Sequence, residues 1–432
     1  YSSFNDEVVA KHIDWATGHG IDAFMINWWG NPDMKKRLRD YLNNPLADEI
    51  EYFILWDVQS SNVTRSESGT FDFSREEVAD RFQEDARYII RNLISDQNYF
   101  KLAGKPVIYL YDEDDYGGPF PSMMEGLDEI AQSVGGNKIY WIGDNARPLS
   151  SSQNQQRKVV DGITDFNPIV HWFPWILSPG KDWRLTKKEV KERYVPQTRE
   201  NYFDALELGK DYIPTIIPGF SKPISDLPVV QRTEAGFRYE IAKAKELIDP
   251  EVKTTLISSF NGWLEDHQIE PGKSYGLTYL TVLKEELAGY RVATTLKGKR
   301  DHLQFRFNKW VVPEGSDPRK LTSRVARVKG YATSALNDPV FDLDIGSDPA
   351  TRYIGKGWST TAKKDTKSWR WGVGANKKSS LFIPKTEGSK YLRIETAPIS
   401  DEIEADIYLN GKLVDHIVFE EGWRTYTVEL SK

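Results

Sequence analysis

HIDWATGHGIDAFMINWWG, residues 12–30, decides how the first two-thirds of the chain is read. Its first half closes an amphipathic helix spanning Glu7 to Thr17. Its second half, Ile21 to Trp29, is a run of β-branched and aromatic residues bounded by glycines, the pattern of a buried strand. A helix feeding a buried strand through a short turn is the repeating piece of a parallel sheet wrapped by helices.

The same alternation continues to about residue 288. Further strands are read at Tyr52 to Val58, Pro106 to Asp112, Lys138 to Asp144, Phe166 to Phe173, Tyr212 to Phe220 and Thr254 to Trp263. Between them Ser74 with Glu77, and Thr186 with Glu189, fit capping boxes, in which an N-cap hydroxyl and an N3 carboxylate satisfy each other's backbone donors. After Ser74, the spacing of Val78, Phe82, Ile89, Ile90 and Leu93 marks a core-facing stripe.

These readings predict an α/β fold of the (β/α)8 TIM-barrel type over residues 1–288. About seven strand-helix units are visible where a closed barrel needs eight. The sequence opens on a helix, so the expectation is that the first strand is missing from it; a seven-stranded or open barrel is the alternative. Beyond residue 288 helical periodicity gives way to short alternating strands, among them Leu303 to Val311, Tyr391 to Glu395, Ile407 to Val418 and Arg424 to Leu430. Asn410-Gly411 inside the third of these signals a type I′ hairpin. Residues 289–334 are read as a connecting region and 335–432 as a jelly-roll-like β-sandwich.

Composition narrows the function. In 432 residues, 57 basic against 64 acidic side chains give a net charge of −7 with no long basic run, so no electrostatic footprint for nucleic acid is present. No stretch approaches the roughly 18 apolar residues of a membrane span. Cysteine is absent, which excludes disulfides, thiolate metal sites and a cysteine nucleophile. The six histidines are scattered with no pair at ligand spacing, so no metal is expected, and no glycine-rich phosphate loop precedes a helix, so no nucleotide cofactor is either. Aromatic residues make up 12% of the chain, with 14 tryptophans, a content suited to gripping the apolar faces of sugar rings as well as to core packing.

In such a barrel, chemistry sits at the C-terminal strand ends. Those ends read Asn27-Trp28-Trp29, Trp56-Asp57, Tyr111-Asp112, Asp144-Asn145, His171-Trp172 and Asn261-Trp263-Glu265. Polar strand ends that simply meet solvent are the plain alternative at any one of them. Their repeated pairing of an aromatic with a carboxylate or amide points instead to a sugar cleft.

SSFNGWLEDHQIEP, residues 258–271, follows the last of these strands and resembles the SFNEWHEGTQIEP signature of the endo-α-mannosidase family of glycoside hydrolases and the related WbsX-like proteins. HIDWATGHGIDAFMINWWG, GKPVIYLYD and TIIPGF are similar to the family's second helix and strand, its fourth strand and a late proline-glycine turn. The resemblance spans residues 1 to 288. It implies a metal-independent, retaining endo-glycosidase in which the first Glu of E-W-H-E is a base toward the sugar's own 2-hydroxyl and the second protonates the leaving oxygen and then activates water.

Carried over residue by residue, the second acid is Glu265, but the first falls on Gly262, which has nothing to titrate, and the intervening His falls on Leu264. A relocated base, a loss of catalysis that leaves a glycan-binding barrel, and an altered sequence are the competing explanations. Asp57, Asp112 and Glu270 are candidate replacement bases, and His267 a weaker one. Trp28, Trp29, Tyr111, His171, Trp172, Asn261 and Trp263 are candidate substrate contacts, with Trp28 and Trp29 expected to divide between sugar and core. The plain alternatives are a surface-loop carboxylate for Glu265, a helix cap for Glu270 and a buried structural histidine for His171. In the C-terminal part, Trp358, Trp369 and Trp371 are candidate stacking residues, at least one of them expected in the core. The expected function is hydrolysis of an α-linked, mannose-containing glycan or polysaccharide with Glu265 as general acid/base. A catalytically silent glycan-binding protein is the rival, and an extracellular or cell-surface location is favoured over the cytoplasm.

Overall fold

The strand foretold by residues 12–30 runs Ala23–Trp28 (β1) and pairs in parallel with Glu51–Trp56 (β2), Asn27 opposite Leu55 and Trp28 opposite Trp56. The computed structural model describes residues 5–58, 71–111, 116–144, 159–166, 184–185, 198–199, 201–202, 205, 208–222, 229–249, 252–290, 300–313, 319–347, 350, 353–355, 357–359, 361–373, 377–386 and 388–430. Two compact units divide the chain: Tyr1–Lys188 with Asp204–Ala293, and Glu189–Phe203 with Thr294–Lys432.

In the first unit the parallel pairing passes from β2 to Lys105–Leu110 (β3), Tyr140–Asp144 (β4), Gly162–Thr164 (β5) and Asp211–Tyr212 (β6). A further parallel pair joins Thr215–Ile216 (β7) to Leu256–Ile257 (β8). The runs YFILW in β2, PVIYL in β3 and YWIGD in β4 are buried without alternation, as a parallel sheet covered on both faces requires.

The covering helices are Asp6–Gly18 (α1), Pro32–Leu42 (α2), Glu76–Asn92 (α3), Phe120–Gly135 (α4), Glu234–Ala244 (α5) and Thr278–Leu287 (α6). The Asn5 side chain accepts from the N–H groups of Glu7 and Val8 to start α1, and Asn31 accepts from Met34 to start α2 with Pro32 in its first turn. Val9, Ile13 and Ala16 of α1 pack with Ile50, while Phe237, Ile241, Leu280 and Leu283 of α5 and α6 pack on Ile216 of β7.

Two local expectations give way. The strand that pairs next is Gly162–Thr164, earlier than the Phe166 to Phe173 run read from sequence: Ile163 and Thr164 take up register with Gly143 and Asp144, and residues 167–173 lie outside the described residues. Ser74 does not cap α3. Its hydroxyl donates to Asp72 Oδ1 at 2.7 Å, and Arg75 occupies the cap position with no side-chain cap bond. The Thr186 box lies outside the described residues.

The second unit contains Arg300–Phe307 (β9), Leu321–Tyr331 (β10), Phe341–Asp344 (β11), Ala362–Lys364 (β12), Lys367–Val373 (β13), Lys378–Pro384 (β14), Tyr391–Pro398 (β15), Glu404–Leu409 (β16), Lys412–Val418 (β17) and Arg424–Glu429 (β18). They form antiparallel sheets in the orders β14-β9-β16-β17 and β12-β13-β10-β15-β18, with β11 beside β10. Leu303, Phe305, Leu381 and Ile407 of one sheet share a core with Val325, Val328, Leu392 and Ile394 of the other. β9 and β10 fall within residues 289–334, the stretch read from sequence as a connector, and both lie in the middle of their sheets. Asn410 and Gly411 turn β16 into β17 with φ of 50° and 78°, the left-handed pair a type I′ turn needs.

Candidate functional site

Residues 258–271 leave the C-terminal end of β8 and fold back on themselves. Ser259 N–H donates to His267 O at 2.8 Å and Glu270 N–H to Phe260 O at 2.7 Å, which closes the base of the loop and projects Asn261 to Asp266 at its tip. The tip is a single 3₁₀ turn, Trp263–Glu265, ended by Asp266 in the left-handed region at φ 49°. Arg232 braces the returning arm, donating to the carbonyls of Asp266 at 3.1 Å and Gln268 at 2.8 Å while its guanidinium lies over the rings of Tyr275 and Tyr279.

Gly262 is there because His267 fills the space a side chain would need. A Cβ on residue 262 would stand 2.1 Å from His267 Nε2 and 2.4 Å from Ser259 Oγ, far inside contact distance. The imidazole is buried edge-on between Phe166 and Phe220, with Nδ1 3.2 Å from Ser258 Oγ and Nε2 3.7 Å from Glu265 Oε2. Burial pushes the His267 imidazole down from its usual range, against the opposing pull of Glu265. His267 is therefore a neutral base at pH 7, next to a carboxylate that it does not hydrogen-bond.

Glu265 is a partly exposed acid of the loop tip, with 26% of its side chain exposed against 45% for its neighbour Asp266, and its Oε1 accepts from Lys222 Nζ at 2.6 Å. The backbone reinforces the pairing, since Ser221 N–H donates to Glu265 O at 2.8 Å. Lys222 was not a candidate from sequence. The pair spans 43 residues, and nothing local in FSKP announces it.

Glu270 does other work. It is buried, accepting from Trp263 Nε1 at 2.6 Å on one oxygen and facing His12 Nε2 at 2.9 Å on the other. The indole of Trp263 is thus pinned by its N–H while 44% of the residue stays exposed, a fixed apolar plate beside Glu265. A carboxylate so engaged is placed to orient Trp263 rather than to meet substrate as a base.

The paired tryptophans at the end of β1 differ in burial. Trp28 has 0% exposure and stacks on Tyr88 at 5.8 Å, whereas Trp29 is 39% exposed. Trp28 is core, which removes it from direct contact with a ligand. Asp57 is partly exposed at the end of β2 beside Trp28, to whose carbonyl its N–H donates at 3.1 Å. Tyr111 is likewise partly exposed at the end of β3 and meets Phe166 edge-on at 5.6 Å. Asn261 is exposed at the loop tip. Asp112, His171 and Trp172 lie outside the described residues. The strand ends also carry Asp144, read from sequence as a strand-end polar group of the cleft but fully buried and accepting from Phe166 N–H at 2.9 Å, and Asp165, which the sequence did not single out, buried with Tyr212 Oη at 3.3 Å. Burial and the neighbouring Asp144 push the Tyr109 phenol well up.

No group of three metal-capable side chains occurs among the described residues, and no helix among them is long and apolar enough to cross a membrane.

The parallel sheet wrapped by helices is similar in fold to a solved structure described as a glycoside hydrolase-like protein, with TM-score 0.52 and 23% identity over 66% of this chain and 87% of that one. The chain belongs to the WbsX family, whose model, described as glycosyltransferase WbsX, matches residues 1–283. Also similar are two structures of an endo-alpha-mannosidase of glycoside hydrolase family 99 from Bacteroides thetaiotaomicron. The one in complex with BIS-TRIS-propane has TM-score 0.49 and 18% identity over 67% of this chain and 85% of that one. The other has TM-score 0.48 and 18% identity over 68% and 82%. No curated protein matches the sequence.

Proposed function

We propose that this protein is a glycoside hydrolase acting inside α-linked, mannose-containing glycans, with Glu265 as general acid/base and His267 as the second proton-handling group. In this reading β1–β8 belong to a (β/α)8 barrel, with β6 and β7 the two halves of one interrupted strand, and the antiparallel sheets of the second unit form a jelly-roll-like sandwich. The observation that carries the proposal is the loop tip, where Glu265, paired to Lys222, stands beside the neutral imidazole of His267 and the pinned, exposed ring of Trp263. A glycosidic oxygen leaves only when protonated, and the attacking oxygen must lose a proton, so such a site needs one group for each task. His267 is the only titratable side chain packed against Gly262 in its three nearest contacts, which makes it a better replacement base than Glu270. The family description names glycosyl transfer; transfer from a glycoside donor differs from hydrolysis only in the acceptor, a sugar hydroxyl in place of water, and the same two groups would serve that reaction.

A second reading is favoured by one observation: the room for a side chain at residue 262 is gone, so the site is compatible with glycan binding that never proceeds to cleavage. An extracellular or cell-surface location suits both readings. Product analysis on a panel of α-linked mannosides and glucosides, with and without an added sugar acceptor, separates them. Cleavage that Glu265→Gln abolishes is the expected result. Binding without products in any of the mixtures would favour the silent protein, and full activity in Glu265→Gln would end the assignment of that residue.

A further inference from the structure

The outward face of the β12-β13-β10-β15-β18 sheet carries a cation set among indoles. Arg324 of β10 lies opposite Trp371 of β13, and its guanidinium stands 5.3 Å from the ring of Trp371, 5.4 Å from Trp369 and 4.9 Å from Trp423. This face is not the core face, since Val325, the next residue, belongs to the shared core and none of these tryptophans does. Trp358 does pack on that core, with its N–H donated to Ser380 O at 2.6 Å, so it takes no part.

The charges around Arg324 are matched except for its own. Lys367, which lies over Trp423 at 4.5 Å, pairs with Glu395, and Arg327 pairs with Asp342. Among the described residues Arg324 has no carboxylate partner and no hydrogen-bond acceptor, and its Nε is buried without one. Trp369, only 9% exposed at the floor of the cluster, likewise has an indole N–H with no acceptor. Burial also pulls the Arg324 guanidinium down from its usual range. A partly desolvated charge with no counter-charge is a costly arrangement that a fold would not keep for packing alone.

We infer that the Arg324–Trp369–Trp371–Trp423 cluster is a second carbohydrate site, which takes a carboxylate-bearing sugar of an acidic polysaccharide. A hexuronate offers both things the cluster lacks: a planar carboxylate for the outer nitrogens of the guanidinium, and an apolar ring face for the half-exposed indoles of Trp371 and Trp423. Phosphate or sulfate would meet the charge but leave the indoles without a partner. A neutral sugar would meet the indoles and leave the charge. The inference is independent of the chemistry assigned to Glu265.

Calorimetric titration of the full chain tests it with three probes: oligogalacturonate, its methyl ester, and a hyaluronan hexasaccharide. At least one acidic probe is expected to bind, with affinity reduced at least tenfold by Arg324→Gln, by Trp423→Ala and, for oligogalacturonate, by methyl esterification, which keeps the ring and removes the charge. Arg324→Lys keeps the charge but loses the planar fork and should fall between, while Glu265→Gln should leave binding unchanged. Circular dichroism establishes that each variant is folded; if Arg324→Gln is not, the Lys variant and the ester comparison decide. No binding of either acid, equal binding of acid and ester, or loss of binding in Glu265→Gln would each overturn the inference.

Discussion

Two arginines stacked on aromatic rings show how differently the two units use a charge. Arg232, with 10% of its side chain exposed, lies over Tyr275 and Tyr279; its Nη1 donates to the carbonyls of Asp266 and Gln268 and faces the Asp266 carboxylate at 3.6 Å, while its Nη2 is buried without an acceptor among the described residues. Arg324 lies among Trp369, Trp371 and Trp423 and has neither acceptor nor acid among the described residues. The first arginine holds a loop in shape. Every carboxylate in that loop is matched as well, Glu265 to Lys222, Asp266 to Arg232 and Glu270 to His12. Charges fixed in advance are what the proton transfer proposed for the loop requires, whereas the unmatched charge of Arg324 is what the proposed acidic ligand would meet.

The strongest test of this contrast is kinetic. On a substrate the protein cleaves, Glu265→Gln should lower kcat by roughly 10²- to 10⁴-fold, the usual worth of a general acid or base; a fall of less than tenfold would mean that the matched charges of the loop are structural. Next in size is the loss of Arg232. Arg232→Met should cost about 3 kcal/mol in denaturant unfolding, because carbonyls and a carboxylate lose a buried partner, while Arg324→Gln, which removes a partly desolvated charge with no counter-charge, should cost nothing or raise stability by up to about 1 kcal/mol. Equal costs would erase the distinction between the two arginines.

A double-mutant cycle probes the loop tip. Gly262→Ala should destabilise by about 2 kcal/mol through the clash with His267, and adding His267→Ala should recover at least about 1 kcal/mol of it. Strict additivity would show that the two positions do not compete for space.

Stability also follows pH. Because the native His267 resists protonation, the unfolded chain binds a proton more readily, and stability contributed by the neutral imidazole falls as pH drops below about 6.5. Glu240, buried on α5, has its carboxyl pushed up from 4.5 to about 8 by burial, so its contribution is whole below about pH 4.5 and is lost progressively as pH rises to about 8. Glu240→Gln should therefore remove a loss of melting temperature that spans pH 4.5 to 8, and His267→Gln a loss below about 6.5 of the opposite slope; a pH 4.5 to 8 slope unchanged by Glu240→Gln would assign it to other groups.

Much of this was legible in the residues because it was local. Continuous apolar runs marked β2, β3 and β4, the dipeptide Asn410-Gly411 marked its turn, and the stretch 258–271 marked the loop. What escaped was set by distance or by brevity. β5 is three residues long, too short for any period to register, and the longer apolar run after it drew the reading forward. Lys222 reaches Glu265 from 43 residues away, and His267 could not be seen to occupy the space of Gly262 until the loop was closed on itself. Ser74 carried a sound capping pattern, but Asp72, two residues earlier, took its hydroxyl.

The mutual exclusion of His267 and a side chain at residue 262 also shapes how the protein can be engineered. A library that saturates position 262 alone would return glycine and a set of poorly folded variants, and a carboxylate there would be scored as harmful whatever it did for chemistry. Libraries that vary 262 together with its two crowding neighbours, 259 and 267, are the ones that can place a carboxylate at 262, so in this protein the route to that arrangement runs through combined changes and is invisible to single ones.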